Sequence, residues 1–205
     1  NVDGPIALTG AGTVQLDRAI ISGVNITTVG GNITFDGAAS TDTGAVLIST
    51  GAGIAGTVDF NAGLTVGTGG LQITAGTGNV DFDGSVTIGA NNLTVNSSTT
   101  TNITAGVNGT TGNVDINGTT TTNVDGAIGI TGAGTVRIDG AVISGVNITT
   151  VGGNITFDGA ASTDTAAVTA KVADSPRTSQ TTSVISASAM TIGTKTPEIL
   201  SASAW

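Results

Sequence analysis

The seven residues Gly-Asn-Ile-Thr-Phe-Asp-Gly stand at positions 153–159 and are repeated without change at positions 31–37. Looser versions of this motif begin at Gly12, Gly56, Gly78, Gly112 and Gly134. Each version opens with Gly, alternates apolar with polar residues and, in most cases, closes with Asp or Asn. That pattern predicts a short β-strand with one buried face, leading into a turn. One motif position holds all four phenylalanines of the chain: Phe35, Phe60, Phe82 and Phe157.

The composition favours a repetitive structure over an ordinary globule. Of the 205 residues, 9% are charged, against about a quarter in a typical soluble domain. Aromatic residues make up 2% and there are 33 glycines, so large core side chains are scarce. A repeat protein can manage without them, because each layer buries small β-branched residues against the next layer. The regular apolar patterning argues against disorder, and Gly does not recur every third residue as a collagen helix requires.

Several function classes are disfavoured by what the chain contains. It has no Cys and no His, so disulfides, thiolate metal sites and the commonest general base are absent. A formal net charge of −9 argues against nucleic acid as a partner. No apolar run approaches the ~18 residues of a membrane-spanning helix. The sequence begins at Asn1, and we expect a processed product or a fragment of a longer protein.

A long internal repeat underlies the motif. The segment 1–46 aligns without gaps with the segment 123–168, at an offset of 122. The two copies differ at eight positions, of which two change the charge: Gln15 against Arg137, and Arg18 against Gly140. Such near-identity indicates a recent tandem duplication.

The spacing of the motifs gives the fold class. Their opening glycines stand at positions 12, 31, 56, 78, 112, 134 and 153. Most of these spacings are about 19–25 residues, which predicts one coil of a parallel β-solenoid each, with short strands, tight turns and essentially no helix. The longest interval, from Gly78 to Gly112, contains either an inserted loop around Ser97 to Thr101 or a second, degenerate coil whose weak strand is supplied by Asn102–Thr104 and Val107. A β-sandwich would have longer strands, and a β-propeller would have a longer period.

The last part of the chain has a different character. The segment 166–205 contains one glycine, three of the five basic residues and two of the three prolines. We therefore divide the chain into a solenoid, residues 1–165, and a C-terminal tail, residues 166–205. The tail either caps the last coil, docks onto another subunit by adding a strand, or is a disordered terminus.

Acidic residues supply the candidate chemistry. If all seven motifs stack in register, their closing residues form one column about 4.8 Å apart: Asp17, Asp36, Asn61, Asp83, Asn117, Asp139 and Asp158. A second, partial column contains Asp59, Asp81 and Asp115. Rows of hard oxygen ligands fit weak Ca²⁺ sites, for which Asp59, Asp81, Asp83 and Asp115 are the candidates. The alternative, which we favour, is that these Asp and Asn side chains satisfy turn amides and bridge layers. No other metal or cofactor is expected.

Repeated G-N-V/I-x-F-x-G phrases followed by short V-x-I and L-x-V strands resemble those of filamentous-haemagglutinin-like and autotransporter-like bacterial surface proteins. The resemblance covers residues 1–165 and is one of style rather than of a catalytic motif. It implies a right-handed parallel β-helix, export to the cell surface or medium, and roles in adhesion, matrix or biofilm. Host or neighbouring-cell surfaces and glycans are then candidate partners.

The sequence thus predicts a non-enzymatic extracellular rod that polymerises end to end or serves in surface adhesion. The alternative is the shaft of a large secreted adhesin. Two further functions have weaker support. A polysaccharide-active enzyme would use Asp81 and Asp83 as a carboxylate pair, but the chain lacks sugar-stacking aromatic residues. An ice-binding solenoid would use the threonine runs at 99–101 and 119–122, which are too few for a regular array.

Overall fold

A computed structural model describes residues 1–96, 99–117, 120–159, 161–163, 169–173, 181–184 and 190–192. These residues form short β-strands joined by turns, and no helix occurs among them. The chain winds repeatedly through three sheets, so that every third strand returns to the same sheet. We call three successive strands a coil. The predicted all-β parallel solenoid is confirmed.

The first half of the solenoid contains twelve strands in four coils. They are β1 (Ile6–Ala7), β2 (Val14–Leu16), β3 (Ile20–Ile21), β4 (Ile26–Thr27), β5 (Ile33–Phe35), β6 (Ala39–Thr41), β7 (Val46–Ser49), β8 (Val58–Phe60), β9 (Leu64–Thr65), β10 (Leu71–Thr74), β11 (Val80–Phe82) and β12 (Val86–Gly89).

The second half continues in the same way and ends with two further strands. They are β13 (Leu93–Asn96), β14 (Thr100–Ile103), β15 (Val107–Gly109), β16 (Val114–Asn117), β17 (Thr121–Val124), β18 (Ile128–Ile130), β19 (Val136–Asp139), β20 (Ala141–Ile143), β21 (Ile148–Val151), β22 (Ile155–Asp158), β23 (Ser162–Thr163), β24 (Thr169–Ala173), β25 (Thr181–Val184) and β26 (Met190–Ile192).

Each sheet takes one strand from every coil. Sheet 1 runs β1-β4-β7-β10-β13-β16-β19-β22, sheet 2 runs β2-β5-β8-β11-β14-β17-β20-β23, and sheet 3 runs β3-β6-β9-β12-β15-β18-β21-β24. The chain therefore makes about seven turns between β1 and β22. Val14 pairs with Ile33, and Ile33 pairs with Val58, so each of these turns spans one motif spacing. Coil lengths here therefore match the predicted spacing.

The core is a column of inward side chains that runs along the axis. Inward residues are buried and their neighbours along the strand are not, as in Ile33-Thr34-Phe35. Phe35 stacks on Phe60 with ring centroids 4.7 Å apart, and Phe60 stacks on Phe82 at 5.4 Å. Parallel stacking places like on like, which is how so few aromatic residues build a continuous core.

The opening glycine of the motif is required by a close approach of backbones. A Cβ atom placed on Gly31 would overlap the carbonyl oxygen of Gly12, and one on Gly153 would overlap that of Gly134. A buried threonine reinforces this corner in both copies. Thr28 Oγ1 donates to the carbonyl of Gly31, and Thr150 Oγ1 donates to that of Gly153, each at 2.5 Å. The motif glycine therefore marks the place where successive turns touch.

The long interval from Gly78 to Gly112 holds additional strands. Four strands, β12 to β15, lie between β11 and β16, whereas two lie between other consecutive motif strands, so the alternative with a second, degenerate coil is correct and this coil has two strands. Of the residues predicted for its weak strand, Asn102 and Ile103 lie in β14 and Val107 begins β15. Five strand steps separate the motif strands β11 and β16, which is one and two-thirds turns at three strands a turn. The motif consequently moves from sheet 2 to sheet 1 at this point.

The long repeat is rotated for the same reason. Strand β19 repeats β2 after 17 strands, or five and two-thirds turns, and lies in sheet 1 instead of sheet 2. The local pairing is nevertheless unchanged. Val14 pairs with Ile33 in the first copy, and Val136 pairs with Ile155 in the second. The repeated strands thus keep the same pairing in two different sheets.

The end of the described chain departs from the repeat. Parallel pairing continues beyond residue 165, because β24 pairs with β21 in parallel. Strand β25 then pairs with β24, and β26 pairs with β22, both in antiparallel orientation. The tail thus contributes one strand that continues sheet 3 and two strands that run the opposite way.

Candidate functional site

The seven closing residues of the motif do not form the single column that the sequence predicts. Four of them follow the sheet 2 strands β2, β5, β8 and β11, namely Asp17, Asp36, Asn61 and Asp83. The other three close strands of sheet 1, namely Asn117, Asp139 and Asp158. The prediction is wrong because the extra strands between β11 and β16 shift the motif by one sheet. The acidic residues therefore form two separate groups.

The second predicted column is split in the same way. Asp59 and Asp81 are register partners in sheet 2, next to Asn102 and Asn123 on the following coils. Asn102 Nδ2 donates to Asp81 Oδ1, and Asn123 Nδ2 donates to Asn102 Oδ1 at 2.7 Å. Asp115, however, lies in sheet 1 between Thr94 and Arg137. Of the four calcium candidates, Asp115 is thus separated from Asp59, Asp81 and Asp83.

Asp59 is the most perturbed carboxyl group of sheet 2. Its Oδ1 atom is shielded from solvent and has no hydrogen-bond partner among the described residues. Desolvation raises the pKa of Asp59, and the charges of Asp81, Asp83 and Asp36 raise it further. The row of neighbouring side chains Asp59, Asp81, Asn102 and Asn123 thus begins with two carboxylates that repel each other and ends with two amides joined by a hydrogen bond.

The geometry of these carboxylates is not that of a built metal site. Within the part of the chain that the structure describes, no group of three or more Asp, Glu, His or Cys side chains converges on one point. Asp81 already accepts a hydrogen bond from Asn102, and Asp36 accepts one from Asn61 Nδ2 at 3.0 Å. These contacts are the bridges between layers that the structural alternative predicts. The structural role of these side chains stays the favoured prediction, and calcium binding stays the alternative to it.

The acidic group of sheet 1 surrounds one arginine. Arg137 lies 3.1 Å from Asp115, 3.2 Å from Asp139 and 2.6 Å from Asp158, measured between guanidinium nitrogen and carboxylate oxygen. Desolvation opposes the charged form of Arg137. The hydrogen bond to Asp158 and the charges of the three carboxylates outweigh it, so the pKa of Arg137 is raised. One cation thus bridges carboxylates on three successive coils.

The first copy has a neutral version of the same arrangement. Gln15 occupies the position of Arg137 and donates through Nε2 to Asp36, the counterpart of Asp158. The sequence comparison identifies this exchange as a change of charge but does not assign a partner to Arg137. The sequence does contain a signal for this partner, because Asp115 and Arg137 occupy the same position in consecutive motifs. In the structure they are neighbours in sheet 1.

The threonine runs do not present a uniform outer face. Thr101 and Thr122 are fully buried, whereas Thr100 and Thr121 are partly exposed. Thr122 Oγ1 donates to the carbonyl of Asp139 at 2.8 Å. Alternate threonines therefore belong to the core of sheet 2.

Three open depressions on the described sheet surfaces have linings without ionisable groups. One on sheet 1 is lined by residues that include Leu47, Gln72 and Thr94, and one on sheet 3 by residues that include Ile20, Ser40 and Thr65. A third lies between Thr87, Asn108 and Thr131. None of these three has an acid, a base or a cation in its lining. They do not provide the paired titratable groups that acid–base catalysis needs.

Fold and surface together define a β-solenoid repeat protein with two acidic faces. No protein-family model matches the chain, and comparisons with curated proteins and with solved structures give no match. Among the described residues, no helix has the length and apolar character needed to cross a membrane.

Proposed function

We propose that this chain is a non-enzymatic structural protein of the cell surface or extracellular space. It is a β-solenoid rod that joins end to end into a fibre or serves in adhesion or matrix. One observation carries the proposal: the duplicated sequence stacks in two rotational settings with the same register. A coil face that accepts neighbours in more than one setting suits stacking between molecules as well as within one.

The arrangement of polar groups supports a structural role over a catalytic one. Asp81, Asp36 and Asp158 are each engaged by a side chain of a neighbouring coil. The open depressions of sheets 1 and 3 have linings without ionisable groups. Hydrogen bonds between coils stiffen the rod along its axis, and this is the property that a fibre or a shaft requires.

The extracellular location is supported by the sequence alone. The repeated strand motifs resemble those of secreted bacterial surface proteins, and the chain has few charges and many Gly, Thr and Asn residues. In the alternative function, the rod is the shaft of a large adhesin, and host surfaces or glycans bind elsewhere on that protein.

Imaging of the purified full chain separates fibre from shaft. About seven turns at about 4.8 Å make a rod of roughly 34 Å. Negative-stain microscopy and light scattering over a concentration series should reveal filaments many times that length. Particles that stay near the length of one rod at every concentration would contradict end-to-end assembly and favour the shaft.

Calcium is tested separately. We expect the melting temperature to be unchanged by EDTA or by added Ca²⁺, because the four candidates lie in two sheets, and Asp81 and Asp115 already have an amide and an arginine partner. A rise in melting temperature with Ca²⁺ would restore Asp59, Asp81 and Asp83 as ligands.

A further inference from the structure

The strands β21, β22 and β23 repeat the sequence of β4, β5 and β6, but their outer edges are covered differently. In the first copy the next coil, β7–β8–β9, covers all three edges in parallel. In the second copy β24 covers β21 in parallel and β26 covers β22 in antiparallel orientation. Within the described residues, β23 is the end of sheet 2. The outer edges of β4–β6 are thus covered by a full coil, whereas the equivalent edges of β21 and β22 are covered by the tail strands β24 and β26.

The substitution begins where the sequence repeat stops. Val168 is the last repeated residue and corresponds to Val46, the first residue of β7. Beyond it, the partners of the core positions change. Phe35 pairs with Phe60, but its counterpart Phe157 pairs with Met190. Tail strands therefore occupy the place of the coil that the first copy adds next.

The chain contains another coil of the required type. Gly12-Thr13-Val14 at β2 repeats Gly56-Thr57-Val58 at β8, and Leu16 stands where β8 has Phe60. Among the described residues, β1 and β2 lie at the ends of sheets 1 and 2, whereas the outer edge of β3 is hydrogen-bonded to Val2 through Ile20 and Ser22. The coil β1–β3 thus resembles β7–β9, and the outer edges of β1 and β2 can pair with a further coil.

We propose that the outer edges of β21 and β22 are a docking surface for the strands β1 and β2 of a second copy, and that β24–β26 form a displaceable cover over it. The proposal rests on end-to-end assembly and identifies its junction. Val14 of the incoming copy lies opposite Ile155, and Leu16 lies opposite Phe157. These contacts reproduce Val58 against Ile33 and Phe60 against Phe35 in the first copy. The junction continues an interface that the chain already builds internally.

The charges at this junction are acceptable. Gln15 of the incoming copy lies beside Thr156, where the internal interface places Asp59 beside Thr34. Asp17 comes beside Asp158, which already has Arg137 as an ionic partner. The internal interface has Asn61 in the place of Asp17, so the junction adds one carboxylate, and Arg137 offsets part of its charge.

A reversible lock on the cover tests the proposal in the full chain. Thr156 and Thr191 are register partners, at a separation that suits a disulfide. The natural chain has no cysteine, so two introduced cysteines can pair only with each other within one molecule. We expect the variant Thr156→Cys/Thr191→Cys to remain monomeric when oxidised and to form longer assemblies when reduced. In the control Thr65→Cys/Thr87→Cys, which links β9 to β12, the redox state should not change assembly. Equal assembly of the oxidised and reduced lock would overturn the proposal.

A second variant and a peptide test the docking surface independently of whether the protein forms fibres. Thr191→Pro removes an amide donor from β26 and should increase assembly, whereas Thr191→Val should not. A synthetic peptide of residues 46–66, the coil β7–β9, should bind the reduced lock and not the oxidised one. Such binding supports the docking surface even if the chain forms no filaments. Filaments that grow equally from the oxidised lock keep the fibre function but assign its junction to another surface.

Discussion

Phe35 and Phe157 occupy the same position in two nearly identical segments, but Phe35 lies in sheet 2 and Phe157 lies in sheet 1. Both are fully buried. On one side they pair in register with the equivalent residues Leu16 and Ile138. On the other side Phe35 stacks with Phe60, whereas Phe157 pairs in register with Met190. The same residue in the same local sequence thus lies in a different sheet and has a different neighbour. Burial of the phenylalanine therefore follows from the motif, whereas its sheet and its stacking partner do not.

The phenylalanine stack should give a measurable coupling energy. Truncation of Phe60 to Ala should cost about 3–5 kcal/mol, because it opens a cavity between two buried rings. A double-mutant cycle of Phe35→Leu and Phe60→Leu, followed by urea denaturation, should give a coupling of roughly 0.5–1.5 kcal/mol. The pair Phe35→Leu and Phe157→Leu is the control and should be additive. A coupling in the control as large as in the stacked pair would contradict this arrangement.

The opening glycine should not tolerate a methyl group. Gly153→Ala places a Cβ atom on the backbone oxygen of Gly134, so the two turns must separate. We expect a loss of about 3 kcal/mol or more in the free energy of unfolding. Gly10→Ala is the matched control, since no atom of the described residues lies within 4 Å of its Cβ position. If both variants unfold at the same urea concentration, backbone contact is not the reason that the motif opens with glycine.

Substitution of Arg137 by Gln should give the second copy of the repeat the same side-chain contact that Gln15 makes in the first copy. Arg137→Gln keeps a donor for Asp158, as Gln15 has for Asp36, but removes the cation shared by three carboxylates. The ion pairs are partly exposed, so we expect a loss of about 1 kcal/mol that shrinks as salt is added. Gln15→Arg in the first copy is the converse change. A loss for Arg137→Gln that is independent of salt would indicate packing rather than charge.

Protonation of Asp59 should stabilise the fold as the pH falls from neutral. The pKa of Asp59 is raised by desolvation and by Asp81, Asp83 and Asp36, so folding favours its protonated form. This contribution is complete below the unfolded value near 3.8 and is lost as the pH rises through the folded pKa.

The variant Asp59→Asn checks this pH dependence. It should raise the melting temperature at pH 7 and flatten the pH profile, and partial exposure of the side chain limits the gain in stability to about 0.5 kcal/mol. Asp3→Asn, at an exposed position, should do neither. A steeper profile in Asp59→Asn would contradict the assignment.

The strands of the motif can be predicted because their information is local. Gly31, the inward Ile33 and Phe35, and the closing Asp36 each follow from one coil and its contact with the next. The sheet to which a strand belongs is not local, because all three sheets use the same alternation. It depends on counting every strand between β11 and β16. Strands β14 and β17 are hard to recognise in the sequence, since Thr101 and Thr122 are buried where other coils have Val.

The candidate site is predictable to the same extent. Asp59 and Asp81 lie on adjacent coils with no shift of sheet between them, so their adjacency follows from the motif spacing. Grouping Asp115 with them requires that the motif keep one sheet, which it does not. Asp115 and Arg137 hold the same position in consecutive motifs, so their contact also follows from the motif spacing.

Cysteine cross-linking between β11 and its neighbouring strand tests most directly whether the motif moves from sheet 2 to sheet 1. In the structure Asp81 pairs with Asn102, while Asp115 lies in another sheet beside Arg137. Neighbouring strands about 4.8 Å apart are within disulfide range. The pair Asp81→Cys/Asn102→Cys should therefore form an intramolecular disulfide, detected by mass spectrometry, and Asp81→Cys/Asp115→Cys should not. A disulfide that forms readily in the second pair and not in the first would place all seven motifs in one sheet and contradict the rotation.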